Sequence, residues 1–167
     1  YVVGDVFVTG SRLERNTGVF GALATLGKAT VRNSHFEANI GGSGGGGLTA
    51  FQGAEIHDSL FNSNTSREGY GGGVAADVSA VIIGSRFERN SASISGGALG
   101  PLTSYSIVPF VLEDTEFVEN RSGSEGGAVF ANAIITASNV FFERNTTPNS
   151  GGGILAQSGL VMTDGHF

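Results

Sequence analysis

The sequence predicts an all-β fold: a right-handed, single-stranded parallel β-helix of about 25 residues per coil. Three observations carry that reading. The first is a pattern, Phe-x-x-Asn, that returns at Phe36–Asn39, Phe61–Asn64, Phe87–Asn90, Phe117–Asn120 and Phe142–Asn145, with a degenerate copy at Leu13–Asn16. The second is a glycine pair, then Ala or Gly, then an aliphatic residue; the aliphatics are Leu48, Val74, Leu99, Val129 and Ile154, with a weaker copy at Leu23. Both motifs advance by 25 or close to it, and both lengthen to 30 at the same place. The third is an alternation of period 2 around each motif, which suits a strand and not a helix. Two motifs that share one period mark a solenoid. At this spacing 167 residues make between six and seven coils.

Each coil is expected to hold three short strands. One carries the Phe, which points inward; the preceding Ser34, Ser59, Ser85 and Thr115 are small and inward, and Glu14, Glu37, Glu88 and Glu143 just after it face water. A second lies five and seven residues earlier, with inward pairs such as Val31/Ala29, Ile56/Ala54, Ile82/Ala80 and Leu112/Phe110. The third begins at the aliphatic after the glycines, with Ala50, Ala76, Ala131 and Ala156 inward. Stacking coils set like residues above like at roughly the 4.8 Å strand spacing. Phe36, Phe61, Phe87, Phe117 and Phe142 then form the core ladder. Three residues before each Phe stand Gly10, Asn33, Asp58, Gly84, Asp114, Asn139 and Asp164, types that tolerate a left-handed backbone and so mark a bend. Asn39, Asn64, Asn90, Asn120 and Asn145 read as a structural ladder, each amide bonding to the next coil or capping its own turn.

Composition excludes several classes of function. Gly is 28 of 167 residues, more than twice the usual ~7%, yet Pro is only 3 and no Gly-X-Y period exists, so the chain is not collagen. With no Cys there is no disulfide framework and no thiolate metal site. Nine basic against 15 acidic residues give a net charge of −6, which disfavours nucleic acid as a partner. No apolar run is long enough to enter a bilayer as a helix, so this segment is not expected to insert directly into a membrane.

The search for chemistry finds no catalytic residue, no cofactor site and no metal site. Asp58, Asp114 and Asp164 share a column, but Gly84 and Asn139 separate them. Glu113, Asp114, Glu116 and Glu119 read as a solvated face. His35 and His166 share a phase five coils apart and cannot meet. No nucleophile elbow or phosphate-gripping Lys accompanies the glycines. Arg12, Arg15, Arg86, Arg89 and Arg144 beside the glutamates suggest surface ion pairs, each worth roughly 0–1 kcal/mol. Asn64-Thr-Ser, Asn120-Arg-Ser and Asn145-Thr-Thr have the form of N-glycosylation sequons, alternatively the product of an Asn/Ser/Thr-rich turn.

Two regions are candidates for contact. Small residues beside the glycine-motif strand, Gly47, Thr49, Gly73, Ala75, Ala98, Gly100 and Ala128, with Phe130, are expected to face out as a flat strip that a partner could approach. The long coil carries its extra residues within 100–110, and an insertion in a solenoid becomes a loop on one face, with Leu102, Tyr105 and Ile107 as contact residues.

The alternation of Phe-x-x-Asn with Gly-Gly-Ala-aliphatic, complete at Gly96–Leu99 and Gly126–Val129, resembles the repeats of the chlamydial polymorphic membrane proteins. Those are autotransporter adhesins of the pectin-lyase-like β-helix superfamily. The resemblance implies a passenger segment displayed outside a cell, on the cell surface or secreted, that binds a protein or glycan on another surface and is not an enzyme. Two alternatives stand beside it: a structural subunit of an extracellular filament or coat, built by end-to-end self-association, and a pectate-lyase-like carbohydrate-active enzyme. Residues 1–167 are expected to be one β-helix domain, either a segment of a longer chain or a stacking unit.

Overall fold

The computed structural model describes Tyr1–Phe167 and is a parallel β-solenoid of about six turns, without a helix. Every strand pairs in parallel with its counterpart one coil away, and the counterparts line up into four sheets. One central coil shows the order. Ala54–His57 lies in the first sheet, of seven strands; Leu60–Asn62 in the second, of six; Thr65–Ser66 in the third, of five; and Val74–Ala76 in the fourth, of six. Register follows the repeat without slippage. Phe36, Phe61, Phe87, Phe117 and Phe142 are direct partners, and so are Val31, Ile56, Ile82 and Leu112.

The sequence reading allowed three strands per coil; the structure has four. The additional strand follows the ladder Asn and is two residues long, as at Ile40–Gly41, Ser91–Ala92 and Arg121–Ser122. Two residues cannot display an alternation, so this strand has no signature in the pattern.

The core is apolar and ordered in columns. The rings of Phe36, Phe61, Phe87, Phe117 and Phe142 stack nearly parallel, with successive centroids 4.6, 4.9, 5.2 and 5.1 Å apart. Facing them are Leu48, Val74, Leu99 and Val129 of the fourth sheet and Ile56, Ile82 and Leu112 of the first, all without solvent exposure. Stacking at the strand spacing forces like rings face to face, because the backbone ladder fixes their separation.

The glycine motif has a separate steric reason at each position. The first glycine takes a left-handed φ at Gly71 (60°), Gly96 (66°), Gly126 (58°) and Gly151 (72°). At the second, a Cβ would strike the backbone of the next coil: Gly72 meets the Gly97 carbonyl, and Gly97 that of Gly127. The third lies against the Phe column, where Gly47 faces Phe61 and Gly73 faces Phe87; a methyl is accommodated there at Ala98 and Ala128, both fully buried.

Candidate functional site

Construction of the exterior begins with the Asn column, because it decides which polar groups remain free. Asn64 is fully buried. Its backbone N–H and its Nδ2 both donate to Asn90 Oδ1, each at 3.0 Å, and Nδ2 also donates to the Phe36 carbonyl at 2.9 Å. Asn90 repeats the pattern toward Asn120 and Phe61, and Asn120 toward Asn145 and Phe87. Asn39 bonds likewise to Asn64 and Leu13. In the folded chain the amide nitrogens of Asn64, Asn120 and Asn145, three sequon positions, donate to the carbonyls of Phe36, Phe87 and Phe117.

The flat strip expected outside is inside. Gly47, Thr49, Gly73, Ala75, Ala98, Gly100, Ala128 and Phe130 are all buried. The residues just before the strand turn into the Phe column, as described above. Those just after the aliphatic do face away from that column, but the glycine-rich segment of the chain lies over them. Thr49 Oγ1 accepts from Gly45 N at 2.9 Å and donates to the Phe20 carbonyl at 3.0 Å. Gly100 lies beneath Tyr70 and Gly71, and the Tyr70 ring stacks on Phe130 at 6.0 Å. Small residues are needed there because the chain itself covers the strand.

The long coil does form an exposed loop. Tyr105 is 91% and Ile107 76% exposed, while Leu102 is half-buried. Asn132 Nδ2 donates to the carbonyls of Ser104 (2.9 Å) and Ser106 (3.2 Å), tying the loop to the following coil. Ile107, Pro109, Ala133 and Ile134 line a shallow apolar depression of about 330 Å³ beside it.

Several charges pair across neighbouring coils of the second sheet. Arg12 reaches Glu37 at 3.1 Å, Arg86 lies 3.0 Å from Glu88 and also contacts Glu116, and Arg144 lies 3.0 Å from Glu119. The patch from Glu113 to Glu119 is thus partly neutralised by the neighbouring coils. Asp114 accepts from Asn139 Nδ2 at 2.7 Å, and both hold the left-handed bend. Sequence reasoning missed Glu55. Its carboxylate contacts Lys28 at 2.7 Å, Arg32 at 3.0 Å and His57 at 3.0 Å. The Lys28 hydrogen bond, then that of His57, hold its pKa below the usual glutamate value. The signal for this cluster exists only in the register, which sets Arg32 beside His57 and Thr30 beside Glu55.

A chain of this architecture is a repeat protein whose coils differ mainly at their outward positions and in one loop. In the comparison with protein families, the Chlamydia polymorphic membrane protein repeat matches residues 139–157. That stretch contains Phe142–Asn145 and Gly151–Ile154, one copy of each motif in sequence order. Comparisons with curated proteins and with solved structures give no match.

Proposed function

We propose that the chain is a surface-displayed β-solenoid segment of adhesin type, which holds a contact loop on a rigid rod and performs no catalysis. The observation that carries this reading is the loop itself: two large apolar side chains, Tyr105 and Ile107, stand in water at the coil that departs furthest from the 25-residue pattern. Exposed aromatic and aliphatic residues on a tethered loop are the type that anchors a protein contact. The polymorphic membrane protein repeat within residues 139–157 supports display at a cell surface. Asp58, Asp114 and Asp164 stand at left-handed bends with Gly84 and Asn139 between them, a spacing that supports a binding role over a lyase role.

Beads coated with the chain are expected to bind cultured animal cells, and a Tyr105→Ser/Ile107→Ser double variant of unchanged melting temperature should lose most of that binding. Equal binding by the double variant overturns the loop assignment. Wild-type beads that bind no more than uncoated ones overturn the adhesin reading. Light scattering on the same sample addresses the filament alternative, which requires mass growth with concentration.

A further inference from the structure

The outward face of the second sheet holds one irregularity that the ion pairs do not resolve. Arg12, His35, Leu60, Arg86, Glu116 and Phe141 form one register column; Glu14, Glu37, Asn62, Glu88, Val118 and Glu143 form the next. Only in the first two coils do two carboxylates of the second column stand directly opposite each other. Like charges in that position repel. Where the first column offers Arg86, it pairs with the glutamates on either side; beside Glu37 it offers an imidazole instead. Arg12 meets both carboxylates from one edge, contacting Glu14 and lying 3.1 Å from Glu37 Oε2, but its side chain is 62% exposed and can turn to water. His35 Nε2 is closed off from solvent and makes no hydrogen bond. It lies 3.7 Å from Glu37 Oε2. One donor atom from each of Glu14, His35 and Glu37 lies within 4.8 Å of the other two.

We propose that Glu14, His35 and Glu37 bind a divalent first-row transition-metal ion of the zinc class, which clamps the first coil to the second. A cation between the carboxylates removes their repulsion and gives the unused imidazole nitrogen a partner. The imidazole selects transition metals over Ca²⁺ and Mg²⁺, which take oxygen ligands. Bonds of about 2.0–2.1 Å in a tetrahedron set neighbouring donors roughly 3.3–3.5 Å apart. The His35–Glu37 separation of 3.7 Å is within a few tenths of that, and rotation of the Glu14 side chain closes the third position. Water supplies the fourth ligand. Arg12 competes with the ion for the same oxygens.

Isothermal titration with ZnCl₂ at neutral pH, paired with thermal melts, tests the assignment on the chain of 167 residues. Wild type is expected to bind one Zn²⁺ and to melt higher with it, since an ion that binds only the folded state stabilises by mass action, whereas MgCl₂ at the same concentration leaves the melt unchanged. His35→Ala is expected to weaken binding by about tenfold or more, while its metal-free melt stays at the wild-type value because the side chain faces outward. Arg12→Gln is expected to bind more tightly than wild type, and His57→Ala to bind like wild type. The proposal fails if wild type shows no saturable Zn²⁺ binding, if His35→Ala binds as well as wild type, if Arg12→Gln binds more weakly, or if His57→Ala removes the response.

Discussion

At the scale of the residue, the Asn column shows how one side chain can close a coil. Each buried Asn has both faces of its amide in use. The oxygen receives the backbone N–H and the Nδ2 of the Asn one coil earlier, and the nitrogen donates to the next Asn and to the carbonyl of a motif Phe, or of Leu13 in the case of Asn39. A buried polar group left without a partner costs about 1–3 kcal/mol. Asn90→Ala removes the acceptor for Asn64 and the donor for the Phe61 carbonyl together, so a loss of roughly 2–5 kcal/mol is expected by denaturant titration. An unchanged midpoint would show that water replaces the ladder. The same bonds hold the amide nitrogens of the three sequon-like triplets, with Asn64 and Asn120 fully buried and Asn145 half-buried.

At the scale of the element, hydroxyls and left-handed residues set the corners. Ser34, Ser59 and Ser85 each donate to the carbonyl two residues earlier and accept the backbone N–H of the serine one coil before. The residue before each ladder Asn takes φ between 51° and 56°, at Arg15, Ala38, Ser63, Arg89, Glu119 and Arg144. Arg, Ala and Glu have no preference for that region, where a non-glycine residue costs about 1–2 kcal/mol. Bonds made by the following Asn impose the conformation. Outside, Glu55 is the centre of the charge cluster on the first sheet. Its pKa is lowered in the fold, so its contribution to stability is present above the ordinary glutamate range and disappears as pH falls through the folded value. Lys28→Ala removes the largest cause of the lowering. That variant is expected to lose stability relative to wild type at neutral pH and to match it once the carboxyl is protonated in both. A difference that persists undiminished in acid would refute this cause. Because the cluster lies at the surface, with Lys28 and Arg32 about half exposed, the effect is expected to be small and to weaken with salt.

At the scale of the whole molecule, stability is passed from coil to coil along the columns. Each coil touches only its neighbours, so a defect in the middle weakens two interfaces while one near an end weakens about one. Phe87 stacks between Phe61 and Phe117 and is fully buried. Phe87→Ala is expected to cost about 3–5 kcal/mol, since rings pinned by the backbone ladder cannot collapse into the space. Thermal melts compared with wild type check this, and a melt within a degree would mean that the column contributes little.

The sequence by itself determined the repeat, the parallel solenoid, the buried Phe and aliphatic columns and the exposed long-coil loop. Each of those follows from residue types recurring at a fixed phase, and a period is a one-dimensional property. The fate of the glycine-motif strand was decided only in three dimensions. Gly47, Ala75 and Gly100 read from the sequence as an open strip; Gly47 turns instead into the Phe column, and the return path of the chain over the outer side of the strand buries Ala75 and Gly100. The fourth strand, the Glu55 cluster and the meeting of Glu14, His35 and Glu37 likewise depend on which coil lies against which. Side chains 23 residues apart become neighbours only after the register is set, and register is a property of the folded stack.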